Sequence, residues 1–190
     1  HRPNDRKREA LRCKMITAPK HQFLWLAIEK SHADAGEGVI LEVAAALAED
    51  DRGGDLSVVQ EWSWAVDFPA DIQVDEEVSL IHLNNGLIEE PDRVPLSHAE
   101  AVLAGVLGDA NGVVLAGLTA SWTLPWVKRH MPLLAAHIAH GVLDVGSLNR
   151  AAKAWHPEGF RAHYVKAGRA LPKVHAALAA ARHWRAAVGL

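Results

Sequence analysis

One cysteine in 190 residues, Cys13, excludes any disulfide within the chain and any metal site built from several thiolates. Long apolar runs are missing as well: none approaches the roughly 20 residues that a membrane-spanning helix requires, so no membrane partner is expected. No glycine-rich loop of the kind that cradles phosphate occurs. Tyrosine and phenylalanine are scarce, one and three residues against seven tryptophans. Basic residues are short over most of the length. Of 20 Lys and Arg, seven fall in residues 1–20 beside two acids, which leaves 13 against 21 acids for the remainder. An acidic body repels phosphate backbones, so any broad affinity for nucleic acid has to come from a local patch or from the basic stretch.

What remains is the composition of a globular domain: 49% hydrophobic and 23% charged. The length accommodates one compact domain with a sizeable core, read as residues 21–190, preceded by a basic extension over residues 1–20. The extension is either a solvated tail or an arm for RNA, an acidic partner or an import receptor, and Met15 is an alternative start. A soluble protein in a reducing compartment fits, within a cell, an organelle or a virus particle.

Short apolar runs over residues 23–28 and 38–47 and an alternating run over 56–68 predict three strands joined by turns, hence an antiparallel meander. Helical spacing then appears over residues 74–82 and 97–107, the latter with Ser97 and Glu100 placed for a capping box. A fourth strand over 112–116, a helix over 124–139 with Pro132 near a break, a fifth strand over 141–144 and helices over 147–155 and 171–188 complete the reading. The expected architecture is α/β, a central mixed five-stranded sheet flanked by helices.

Four markers in fixed order carry a family likeness. They are Trp25-Leu26-Ala27-Ile28-Glu29 with Ile40-Leu41-Glu42-Val43-Ala44, then His82-Leu83-Asn84-Asn85-Gly86-Leu87, then Leu143-Asp144-Val145-Gly146-Ser147-Leu148, then Ala154-Trp155-His156-Pro157. Gly117, 14 residues before Met131-Pro132, adds a spacing. Together they resemble the oligoribonuclease branch of the DEDD 3′-to-5′ exonucleases, and the resemblance implies an RNase H-like fold. It also implies a chemistry in which four carboxylates hold two Mg²⁺ or Mn²⁺ ions about 4 Å apart and a histidine serves as general base.

Matched to that motif, the chain departs at four of five positions. Where the family has Asp-x-Glu, the chain reads Ala27-Ile28-Glu29, which keeps the second acid alone. Thr123 stands at the third acid, Gly168 at the histidine and Lys173 at the last acid. Four negative groups become one carboxylate and one ammonium, too little negative charge to trap paired divalent ions. No catalytic residue, bound metal or other cofactor is therefore expected. Lys173 is expected to pair with Glu29 in the space the metals would fill.

The resulting expectation is a catalytically inactive exonuclease-like protein, a binding or structural subunit of a larger assembly or a homodimer. Two alternatives stand beside it: an active 3′-to-5′ exoribonuclease with a rearranged metal site, and a nucleic-acid binder that does not cleave. For the first, Glu42 and Asp144 are the acids at hand, although Asp144 reads more simply as the cap of the following helix and Glu42 as locally paired. For the second, Trp62, Trp64, Trp122 and Trp126 offer stacking surfaces, against the simpler reading of core filling. His32 follows the retained acid and either obstructs the nucleotide pocket or points outward. His137 and His140 would share a helix face, too few ligands for zinc.

Overall fold

The structure, a computed structural model, describes residues 21–50, 56–72, 74–110, 112–155 and 168–188. The basic extension and the His156-Pro157 marker lie outside the described residues. Three long strands open the domain: β1 (His21–Lys30), β2 (Ile40–Asp50) and β3 (Leu56–Val66), paired antiparallel as the meander predicts. Then follow α1 (Glu76–Asn84), β4 (Arg93–Val94), α2 (Leu96–Leu107), β5 (Val113–Gly117), α3 (Ala120–His130), α4 (Pro132–Ala135), β6 (Ile138–Asp144), α5 (Val145–Trp155) and α6 (Ala170–Val188). The sheet has the order β4-β3-β2-β1-β5-β6, with β5 parallel to both β1 and β6.

The sheet thus has six strands where five were expected. The additional one, β4, is two residues long and carries no strand pattern; it pairs with the end of β3, the Asp67 N–H donating to the Val94 carbonyl at 2.9 Å, and the Arg93 side chain braces it. Arg93 donates from Nη1 to the Val66 carbonyl at 3.0 Å, from Nη2 to those of Leu87 and Ile88 at 2.7 and 2.8 Å, and from Nε to that of Glu90 at 3.1 Å.

Strand alternation sorts the core into two layers. Leu24, Leu26, Ile28, Ile40, Val43 and Leu47 face a bulky layer that includes Leu103, Trp126, Met131 and Leu134. Trp25, Ala44, Ala46 and Ala48 face the other way, toward Val174, Ala177, Leu178 and Ala181 of α6. Alanine on both partners lets this last helix lie close on the sheet, and its first turn comes down on the end of β1.

Two local expectations fail for identifiable reasons. The capping box does not form: the cap position of α2 is Pro95, and Glu100 is buried, accepting Leu133 N at 2.6 Å and Leu134 N at 3.3 Å. It caps the next short helix rather than its own. The helix expected over 124–139 ends at His130, because Met131, which precedes a proline, is extended at φ −134° and the chain restarts as α4. His140 consequently lies in β6, so His137 and His140 share no helix face. His137 Nδ1 instead lies 3.0 Å from the Ala110 carbonyl oxygen.

Candidate functional site

Residues 25, 27 and 29 of β1 share the face that α6 covers, and β2 places Glu42 directly opposite Glu29. Both carboxylates are buried, at 6% and 1% exposure. The first turn of α6 supplies their partners. Lys173 Nζ lies 2.5 Å from Glu29 Oε1, which is the pairing anticipated for these two positions. Arg169 Nε donates to Glu42 Oε1 at 2.9 Å, and the Ala170 N–H donates to Glu42 Oε2 at 2.8 Å. An anion at a helix N-terminus meets unsatisfied N–H groups and the positive end of the helix dipole. Arg169 Nη2 also reaches Glu90 Oε2 at 3.5 Å.

Helix α1 closes the group from the side. His82, 2% exposed, brings Nε2 to 3.9 Å from Glu29 Oε2. Asn85 Nδ2 sits 3.3 Å from His82 Nδ1 and donates to the Gly168 carbonyl, while Asn85 Oδ1 accepts the Leu87 N–H at 3.0 Å. With φ +75°, Gly86 makes the turn that side-chain-bearing residues resist, and buries Leu87 behind it. The marker His82-Leu83-Asn84-Asn85-Gly86-Leu87 is therefore a device that ties α1 to the residue before Arg169.

Electrostatics follow the burial. Loss of water raises the Glu29 carboxyl above its ordinary 4.5, an effect that the Lys173 ammonium opposes and does not cancel. Burial lowers the His82 imidazole below 6.5, with Lys173 and Arg169 acting in the same direction, so it is neutral near neutral pH. Lys30 is lowered by burial and then by Lys173, against the pull of Glu29. A site that answers carboxylates with side-chain cations is close to neutral, and both oxygens of Glu42 are already engaged.

A pair of Mg²⁺ or Mn²⁺ ions requires several free carboxylate oxygens. Among the described residues no group of three or more His, Cys, Asp and Glu is placed to hold a metal ion. The donors present do not fit the pair: one retained acid carries an ammonium, and its neighbour caps a helix. Ala27 pairs with Ala44 across the sheet and brings no oxygen. Thr123 is buried with its hydroxyl donating back to the Thr119 carbonyl at 3.1 Å. The structure thus joins Glu29, Lys173 and, through Asn85, Gly168, and leaves Thr123 hydrogen-bonded within its own helix.

The acids considered for a rearranged site have structural partners. Asp144 accepts Ser147 N at 2.8 Å, which is the cap expected of it, and also Ser121 N at 3.1 Å and Ser121 Oγ at 2.5 Å. Burial pushes its carboxyl up, but the hydrogen bonds from Ser121 and Ser147 outweigh this and hold it below 3.8. Glu42 is not paired locally, as the sequence reading had it; its partner Arg169 is 127 positions away. The neighbours of the site to which sequence reasoning gave no part in it are His82 and Asn85, quoted there only as a marker, and Arg169 and Lys30. The signals were the i, i+3 spacing of His82 and Asn85 and the adjacency of Arg169 to Gly168 and of Lys30 to Glu29.

On the opposite side of β1 the tryptophans separate. Trp126 is 1% exposed and belongs to the core; Trp122, four positions earlier on α3, is 64% exposed. Lys30 Nζ lies 5.1 Å from the Trp126 ring centroid and 5.8 Å from that of Trp122. Loop residues 33–35, Ser121, Pro125 and the two indoles line an open cleft of ≈ 340 Å³. His32 does not line it; its Nδ1 is 2.9 Å from the buried Ser31 Oγ. Trp62 and Trp64 stack at 6.5 Å and pack against the core, the simpler of their two readings.

No family model matches the chain. The oligoribonuclease of Mycobacterium ulcerans is 24% identical over 177 residues, which span 87% of this chain and 80% of that protein. That of Corynebacterium glutamicum is 28% identical over 173 residues, 86% of this chain and 75% of the relative. Among solved structures, a zinc-bound complex of Escherichia coli exonuclease I with single-stranded DNA superposes with a TM-score of 0.68 at 13% identity. The match takes in 88% of this chain and 41% of exonuclease I, so the chain spans about two fifths of that enzyme's length. The structural comparison agrees with the architecture built up above from strand order and helix placement.

Proposed function

Taking the chain as an oligoribonuclease-like protein with an RNase H-like fold, we propose that it does not cleave nucleic acid and serves as a binding or structural subunit of a larger assembly. One observation carries this reading: Lys173 Nζ stands 2.5 Å from the retained acid Glu29, so an ammonium neutralises the charge that divalent ions would need. Glu42, engaged by Arg169 and the Ala170 N–H, has no oxygen to spare for a metal. The residues that would supply oxygen and imidazole in a working relative are Ala27, Thr123, Gly168 and Lys173 here. Their combined effect is to turn a metal-binding cluster into an anchor for α6.

The test is incubation of the full chain with short single-stranded RNA and DNA in Mg²⁺ and, separately, Mn²⁺. The oligonucleotides are expected to keep their length. Stepwise shortening from the 3′ end, abolished by chelation, would reverse the reading.

A second reading, a nucleic-acid binder without cleavage, is favoured by the exposed Trp122 ring with the Lys30 ammonium 5.8 Å from its centroid. It is compatible with the first, because a subunit of an assembly can hold a strand without cutting it. Its support is the exposed indole with an ammonium at its side, a combination that suits a base and a phosphate.

A further inference from the structure

The outer edge of the sheet is closed only in part. β4 pairs with Ala65 and Val66 alone, so among the described residues no strand lies outside residues 60–64 of β3. An edge of this kind presents unpaired N–H and C=O groups that a further extended segment can satisfy. The stretch has a defined start, because the β2–β3 register shifts between Leu47 and Ala48 and leaves Val59 as an extra, exposed residue. Its two faces differ in chemistry. Trp62 and Trp64 are half-buried on the face toward α2, whereas Glu61 and Ser63 are exposed on the face toward α6, where His175 Nε2 lies 3.0 Å from Glu61 Oε1.

The chain carries a segment whose pattern answers this edge. Residues 11–15 read Leu11-Arg12-Cys13-Lys14-Met15, three apolar side chains alternating with two basic ones, which is the period of a strand. Set antiparallel on residues 60–64, with Leu11 opposite Trp64 and Met15 opposite Gln60, the five positions match in kind. The three apolar side chains share the tryptophan face, Lys14 falls opposite Glu61, and Arg12 falls opposite Ser63. Direction and reach agree with this register. His21, Asp50 and Leu56 lie side by side across the sheet, so β1 begins at the end from which β3 starts, and an antiparallel segment on β3 runs toward that end. A seventh strand stands three strand spacings, roughly 14 Å, to the side of β1, and Gln60 lies three β2 residues, roughly 10 Å, along from the row of His21. The straight separation is about 17 Å, and the six links from Met15 to His21 span up to about 20 Å.

We propose that residues 11–15 add to the edge of β3 as a seventh strand within the same molecule, with Lys14 paired to Glu61 and with Leu11 and Cys13 laid on Trp64 and Trp62. The occupant of the edge is thus the chain's own basic segment, held by ladder hydrogen bonds and one ion pair. The inference is independent of whether the chain cleaves nucleic acid. Closure of the edge removes a template for pairing with other chains, and Arg12 and Lys14 are engaged by the sheet rather than by phosphate.

The experiment is disulfide trapping in the full chain, where Cys13 is the only cysteine and Cys13→Ser clears the background. Arg12→Cys with Ser63→Cys puts two thiols on opposite residues of the proposed ladder, within disulfide reach. Arg12→Cys with Ser57→Cys, on the other side of the bulge, is the control; both serines are exposed, so neither change disturbs the core. On mild oxidation the first pair is expected to close within one chain about tenfold faster than the second. Lys14→Glu is expected to slow that closure about threefold, and adding Glu61→Lys to restore it. Equal rates for the two pairs, closure only between chains, or no closure overturns the proposal. Hydrogen exchange of the unsubstituted chain gives a second readout: residues 11–15 and 60–64 are expected to be protected together and to lose protection together in Lys14→Glu. Complete exchange of residues 11–15 within seconds would equally overturn it.

Discussion

Glu29 and Lys30 are neighbours on one strand, and their surroundings are opposites. Glu29 lies between α6 and α1, where the Lys173 ammonium and the His82 imidazole meet it. Lys30 faces α3, where it meets the indoles of Trp122 and Trp126. The register of the β1–β2 ladder shifts between the two residues, with Glu29 under α6 and Lys30 beside the α3 indoles. The difference teaches how one strand can sort its charges: on one side buried carboxylates are matched by side-chain cations, and on the other a half-buried ammonium rests against two indoles.

Removing the two lysines in turn is the sharpest way to break that comparison. Lys173→Met leaves Glu29 buried beside Glu42 with no ammonium and is expected to cost roughly 3 kcal/mol at neutral pH. For a chain of this size that is a fall in Tm of roughly 6–12 °C by calorimetry. The sign of its pH dependence follows from Glu29. A carboxyl raised above 4.5 on folding contributes stability that is fully present below 4.5 and is lost as pH rises through the folded value. The variant's deficit should therefore shrink on acidification. His82 acts in the other direction: lowered on folding, it contributes stability above 6.5 that is lost as pH falls through its folded value. Lys173→Met combined with His82→Gln should expose the recovery more fully, and a deficit unchanged between neutral and mildly acidic pH would refute the assignment.

A smaller effect is expected at Gly168. A Cβ there would lie 3.0 Å from Asn85 Nδ2, so Gly168→Ala forces the tie between α1 and α6 to give, at a cost of about 1 kcal/mol. Denaturant midpoints measure it, and Asn85→Ala in the same chain should remove most of the penalty. Smallest of all is Lys30→Met. It exchanges a cation–π contact of about 0.5–1 kcal/mol for relief of an unpaired, half-buried charge, and Tm should move by no more than about 2 °C in either direction. A loss as large as that of Lys173→Met would mean that Lys30 too is a structural anchor, and the contrast between the two sides of β1 would collapse.

Much of the fold was legible because it is written in local patterns. The meander appears as apolar and alternating runs, and α6 as a long helical stretch beginning after Arg169. What escaped depended on contacts distant in sequence. β4 exists because it pairs with the end of β3, where Arg93 also reaches the Val66 carbonyl, 27 positions earlier, and no two-residue pattern announces that. Glu100 looked like a cap for its own helix, and tertiary packing gave it to Leu133 and Leu134 instead. The site divides in the same way: four substituted positions are readable by spacing against a known family, whereas the bond between Glu42 and Arg169 closes a separation of 127 positions.

Residue types alone settled that Ala27, Thr123, Gly168 and Lys173 bring no carboxylate and no imidazole to the motif, because the chemistry of a side chain does not depend on where it is folded. Tertiary structure decided that Lys173 reaches Glu29, that Glu42 caps α6, and that Trp122 is open while Trp126 is buried. Those outcomes turn on which surfaces meet when helices dock on the two faces of a sheet, and no local pattern carries that information.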